Sequence, residues 1–132
     1  MTEKSKLKNY SILAVDDSEI NLRLLKEVLK ESQIITLNSG NDCLIYLKEY
    51  TPDIIVLDIM MPDMNGFEVL SHIRANKETE KIPVIMLTAM SRKEAAAELV
   101  NFQVQGFIQK PFKPRKLIKQ IISILDKKEA KN

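Results

Sequence analysis

Five short apolar runs recur along this chain, and each is followed by a stretch with helical spacing. This alternation limits the fold more than any other feature. The runs are Ser11–Val15, Ile34–Leu37, Ile54–Leu57, Ile82–Leu87 and Gly106–Gln109. Ile54-Ile55-Val56-Leu57 has no polar position and is rich in β-branched side chains, the pattern of a strand covered on both faces. Between the runs, Ser18 is suited to cap a helix carrying Ile20, Leu24, Leu25, Val28 and Leu29. A second helix carries Cys43, Leu44 and Leu47 and is stopped by Pro52; a third begins near Asn65 and carries Phe67, Val69, Leu70 and Ile73. Ser91 to Phe102 reads as a fourth, in which Ala95, Ala96 and Ala97 supply helix propensity and little burial. Pro114 fits the first turn of a fifth, whose stripe is Leu117, Ile118, Ile121, Ile122 and Leu125. Strands alternating with helices predict an α/β fold, a parallel sheet wound on both faces by right-handed crossovers.

Ligands of such sheets bind beyond the carboxyl ends of the strands. That rule draws attention to what ends each run: Asp16-Asp17, Asp58, Thr88 and Lys110. The run at Ile34–Leu37 ends in Asn38-Ser39-Gly40, which offers no chemistry, and is free to lie at the sheet's edge. Taken singly, Asp16-Asp17 is a helix cap, Thr88 a structural hydroxyl and Lys110 a solvated charge. Those readings fail jointly, because every position falls on one edge. Three carboxylates converging on one corner repel one another, and a divalent cation removes the difficulty. Magnesium suits an all-oxygen site, and no His or Cys is at hand for zinc. Thr88 and Lys110 would complement the outer oxygens of a phosphoryl group, and a carboxylate can itself be the nucleophile, giving an aspartyl phosphate.

Composition excludes several other classes. The chain has 132 residues with 45% hydrophobic and 29% charged, enough for one soluble domain. A net charge of +2 and an aromatic content of 5% without Trp argue against a nucleic-acid partner. The single cysteine, Cys43, rules out a disulfide framework and suits a cytoplasmic location. No apolar run approaches a membrane span or the core of a signal peptide. His72 lies beside the apolar positions of the third helix and reads as a surface residue.

Together these pieces resemble the receiver domain of two-component response regulators. The matching segments are Val15-Asp16-Asp17, Leu57 to Pro62 with Asp63-Met64-Asn65-Gly66 behind it, Leu87-Thr88-Ala89, and Gly106-Phe107-Ile108 with Lys110-Pro111-Phe112. The resemblance covers about residues 10–126, leaving 1–9 and 127–132 as tails, the latter charged and expected to fray. It implies the flavodoxin-like strand order 2-1-3-4-5. It implies that Asp58 accepts a phosphoryl group from a histidine kinase or histidine phosphotransfer protein. Magnesium would be held by Asp16, Asp17, Asp58 and the backbone carbonyl of Met60. Thr88 and Lys110 would bind the phosphoryl oxygens, Phe107 would be the aromatic switch, and Lys110-Pro111 would be a cis peptide. The surface of the fourth helix, fifth strand and fifth helix would be read by a downstream protein, with a phosphorylation-dependent dimer as one outcome.

The expectation is therefore a signalling module, not a metabolic enzyme. A small magnesium-dependent phosphohydrolase is the alternative, but Met60 stands where it would need a second acid. A pseudo-receiver is disfavoured by the intact Asp and Lys set. Met60 and Met90, each two residues beyond a site residue, are apolar and give no help to an attacking water, so a slow loss of phosphate is expected. Gln105 departs from the family pattern, in which a small residue is commoner before Gly106. No output segment is expected after the fifth helix, and the chain reads as a stand-alone regulator or as part of a longer regulator or hybrid kinase.

Overall fold

In the computed structural model, which describes residues 3–130, the five apolar runs lie side by side as one parallel sheet in the order β2-β1-β3-β4-β5. The strands are β1 (Ser11–Val15), β2 (Gln33–Leu37), β3 (Ile54–Leu57), β4 (Val84–Thr88) and β5 (Gly106–Gln109). The main helices are α1 (Glu19–Val28), α2 (Gly40–Leu47), α3 (Gly66–Ala75), α4 (Arg92–Leu99) and α5 (Pro114–Ala130). All of β3 is buried, as its unbroken apolar run requires, while β2 is the partly exposed edge.

Side chains of successive strand residues point to opposite faces, and the core divides accordingly. Ile12, Ala14, Ile54 and Val56 pack with Leu25 of α1 and the stripe of α5. Leu13, Val15, Ile55 and Leu57 pack with α2, α3 and Ala95 of α4. α5 buries all five residues of its predicted stripe, whereas α4 buries Ala95 alone. A buried Leu or Ile is worth about 1.5–3 kcal/mol and a methyl far less, so α4 is much the more weakly held. Its N-terminus is nevertheless well made: Ser91 and Glu94 form a reciprocal capping box, as do Asn65 and Glu68 on α3.

Several details differ from expectation. In α1 the inward residues are Leu22, Leu25 and Leu29, while Ile20 is 78% and Leu24 44% exposed. Steps of three and four residues keep to one helix face, and Ile20 and Leu24 fall outside it. α4 stops at Leu99, because Asn101 and Phe102 turn back to the carbonyls of Glu98 and Leu99 in a tightened last turn. β4 begins at Val84, two residues late, after Pro83, whose nitrogen has no hydrogen to donate to the ladder.

Of the two segments read as tails, residues 1–2 and 131–132 lie outside the described residues, and the rest takes up helical structure. Glu3–Lys6 is helical and runs into a 3-10 turn, Leu7–Asn9. Leu7 is fully buried in the core with α1 and α5. α5 continues through Ala130, and the Tyr10 hydroxyl donates to Glu129 at 2.5 Å, tying this end to the start of β1. An isolated Leu in a charged segment carries no periodic signal, so neither contact was visible in sequence.

Candidate functional site

The carboxyl edge of the sheet is built by extending the ladder past the strands. Asp58 donates its backbone N–H to Val15 at 2.9 Å, Asp16 to Leu37 at 3.2 Å, and Lys110 to Thr88 at 2.7 Å. These bonds carry the register of β1, β3, β4 and β5 into the loops and bring the predicted residues together. Carboxylate oxygens of Asp16, Asp17 and Asp58 lie within 4.8 Å of one another. Asp16 and Asp58 are buried and Asp17 is exposed at the mouth.

Lys110 joins the two buried acids. Its ammonium donates to Asp16 Oδ2 at 2.5 Å and to Asp58 Oδ2 at 3.3 Å. The second oxygen of each acid is also used: Asp16 Oδ1 accepts from Ser18 N at 2.9 Å, and Asp58 Oδ1 from Met60 N at 3.3 Å. Thr88 is fully buried at the end of β4, and its hydroxyl accepts from Met90 N at 3.3 Å. The Lys110–Pro111 peptide is cis, as the resemblance implied.

Gly66 holds α3 against the end of β3. Its N–H donates to Ile59 O at 2.8 Å, and a Cβ there would lie 2.3 Å from Asp58 O and 2.7 Å from Ile59 Cα. Any larger residue must push the helix away from the backbone of Asp58. Asp63 ties the same loop to α2 by accepting from Asn41 N at 3.0 Å and Gly40 N at 3.4 Å, and the Asn41 bond leads the contacts that hold its carboxyl below the usual range. A cleft of about 500 Å³ opens beside Asp17, and Met60, Met61 and Met90 line it. The methionine loop is unevenly placed: Met61 is buried, Met64 packs partly against the core and Met60 is 57% exposed.

Phe107 is only partly buried, and the guanidinium of Arg92 lies 5.7 Å from its ring centroid. Sequence reasoning missed Arg92, because a cation in the first turn of a helix gives no hint of a ring on the next strand. It also passed over the Arg74–Gln105 clasp. All five N–H groups of Arg74 are used, on the carbonyls of Glu80, Ile82 and Gln103 and on Gln105 Oε1, which also accepts from Val84 N at 2.7 Å. Gln105 thus closes the start of β4 where a small residue could not. His72 is exposed and Cys43 buried, as expected.

The donor set fits a hard cation. Among the described residues this is the one cluster of three acidic, His or Cys side chains within such reach, and all its donors are oxygens. A doubly wound sheet with an acid-rich, lysine-bridged carboxyl edge defines a module for handling a phosphoryl group at a carboxylate.

Comparison with known proteins agrees. The family model for the response regulator receiver domain matches residues 12–122. The polar-differentiation response regulator DivK of Brucella ovis is 31% identical over 87% of this chain and 95% of its own length. Hybrid signal transduction histidine kinase D of Dictyostelium discoideum is 29% identical over 91% of this chain, which spans 8% of that protein. A receiver domain protein of Methanospirillum hungatei superposes with a TM-score of 0.86 at 26% identity, covering 93% of this chain and 98% of its own. The chain belongs to the response regulator receiver family, the phosphoacceptor modules of two-component signalling.

Proposed function

We propose that Asp58 is the phosphoacceptor and that Asp16, Asp17, Thr88 and Lys110 serve the transfer. The observation that carries this reading is the Lys110 ammonium between Asp16 and Asp58. A carboxylate oxygen of Asp58 attacks the phosphorus of a phosphohistidine on a histidine kinase or phosphotransfer protein. A P–O bond forms, the P–N bond breaks, and the imidazole leaves with the bonding pair. Asp16, Asp17, Asp58 and the carbonyl of Met60 would hold magnesium, which when bound neutralises charge on the phosphoryl oxygens. Lys110 and the Thr88 hydroxyl would bind the remaining oxygens, and the largely buried surroundings keep the lysine's charge strong.

A phosphate adds charge and three acceptor oxygens. Thr88 and Lys110 gain partners only in that state, which is the differential interaction a switch needs. Phe107 follows Thr88, and α4, held by one buried alanine, is the element that moves. The changed surface of α4, β5 and α5 is read by a downstream protein. A cytoplasmic location fits, and no helix among the described residues is long and apolar enough to cross a membrane. The module works as a switch, and the phosphohydrolase alternative has only Met60 where a general acid would stand.

The test is an intact-mass spectrum after incubation with acetyl phosphate, with and without magnesium, beside Asp58→Asn. A metal-dependent gain of one phosphoryl mass, lost in the variant, is expected. The same gain in Asp58→Asn would move the acceptor elsewhere. Amide exchange unchanged along α4 on phosphorylation would remove it as the moving element.

A further inference from the structure

We infer that two copies of this chain pair through the β2 edge, antiparallel and centred on Ile35, and that the pairing does not need phosphorylation. β2 ends the sheet, so every second residue turns its backbone N–H and C=O away from β1. Gln33 N donates to Tyr10 O at 2.9 Å, and Leu37 O accepts from Asp16 N at 3.2 Å. Residues 33, 35 and 37 therefore face β1, and Ile34 and Thr36 present their backbone groups outward.

An open edge is ordinarily defended by charge, proline or a bulge. The opposite edge has such defences: Arg92 lies over the Phe107 ring of β5, and Pro111 follows the strand closely. β2 has none. From Ser32 to Asn41 the sequence carries no charge and no proline, and the centre, Ile34-Ile35-Thr36, is β-branched throughout. Residues 33–37 pair with β1 in unbroken register, so no bulge turns the edge away.

Ile35 is 42% exposed and shares a sheet face with Leu37, the face that α2 covers. Leu44 and Lys48 line the side of α2 toward α3, so at about 100° per residue Tyr46 falls on the side toward β2. Tyr50 stacks on Tyr46 with ring centroids 4.9 Å apart and is 56% exposed. Ile35, Tyr46 and Tyr50 thus form an apolar ledge beside unpaired backbone.

The occupant that fits is a second β2. With a two-fold axis at Ile35, Ile34 of each copy meets Thr36 of the other, and each such pair exchanges both of its hydrogen bonds. This register alone uses both outward residues of each strand within β2. Ile35 then faces its own counterpart with Cα atoms about 4.5 Å apart. An isologous contact sets every residue of the patch against the same patch, and β2 brings no charge to oppose itself. The strands run in opposite directions, so the two carboxyl edges point opposite ways. Each acidic corner stays open, and nothing in the contact depends on its state.

The test combines sedimentation equilibrium of the full chain with cysteine cross-linking. Reversible dimerisation is expected between micromolar and millimolar concentration, equal with and without beryllofluoride and magnesium. Ile35→Lys sets like charges face to face and should raise the dissociation constant about tenfold or more; circular dichroism checks that its fold is intact. Under diamide, Ile35→Cys should join rapidly to its counterpart. Gln33→Cys should not, because residues 33 of the two copies lie about 14 Å apart in this register. Cys43 is buried and does not compete. A chain still monomeric at millimolar concentration, a dimer indifferent to Ile35→Lys, equal cross-linking of the two cysteine variants, or a dimer seen only with beryllofluoride would overturn the inference. So would an extended peptide that shifts the Ile34 and Thr36 amides of a monomeric chain, since the edge would then serve a different partner.

Discussion

Replacing Lys110 by methionine keeps all but the last atom of the side chain's length and removes the charge that joins the two buried acids. The ammonium lies 2.5 Å from Asp16 and 3.3 Å from Asp58, whose side chains are 2% and 7% exposed. At an effective dielectric of about 20, unit charges at those separations attract by about 7 and about 5 kcal/mol. Desolvation of three charged groups takes back most of that sum. Deleting one partner of a buried pair costs about 3–5 kcal/mol. Because the Lys110 side chain is 16% exposed, the lower end is expected, about 3 kcal/mol. The variant would also leave carboxylate oxygens within 4.8 Å of one another with no neutralising group. Urea unfolding in magnesium-free buffer measures the loss directly. Saturating magnesium should recover most of it, since a divalent cation restores the missing positive charge. A variant within about 0.5 kcal/mol of the parent without magnesium would show that Lys110 does not neutralise this corner.

Four other outcomes are expected. Gly66→Ala should cost about 1–3 kcal/mol and slow phosphoryl uptake, because its Cβ would fall 2.3 Å from Asp58 O, a backbone atom with little room to yield; unchanged uptake and stability would mean the helix shifts freely. Burial pushes the Cys43 thiol up to about 12 from an ordinary value of 9.0. The folded chain thus holds this proton more tightly than the unfolded chain. Its contribution to stability is full below about 9 and lost as pH rises toward about 12, and alkylation near pH 8 should track unfolding; rapid labelling of the native chain would contradict this. Arg74→Met should destabilise by about 1–2 kcal/mol, chiefly by leaving the part-buried carbonyl of Ile82 without its donor, as thermal melts would show. Met60→Asn should shorten the lifetime of the phosphorylated form, since Met60 lines the cleft beside Asp17, and an unaltered decay would remove that role.

Most of the sheet was legible because β3 is apolar throughout and α5 repeats its stripe without error. The site was legible for a related reason. In a parallel sheet, whatever ends each strand meets at one edge, so Asp16, Asp58, Thr88 and Lys110 could be assembled before any coordinates. What escaped were single residues whose meaning lies across the chain. Leu7 has no periodic neighbours, Ile20 and Leu24 imitate a stripe while the inward face runs through Leu22, Leu25 and Leu29, and Arg74 and Arg92 find their partners on loops and strands distant in sequence. Gln105 showed as an oddity and proved to be a hydrogen-bonding closure, because its amide meets Arg74 and Val84 together.

The central claim is that one of three neighbouring carboxylates, Asp58, takes the phosphoryl group. Borohydride reduction of the phosphorylated chain converts an aspartyl phosphate to homoserine, and peptide mapping then reads its position. Homoserine at Asp58 alone is the predicted result; homoserine at Asp16 or Asp17, or at none of the three in a chain that has gained phosphate, would contradict it.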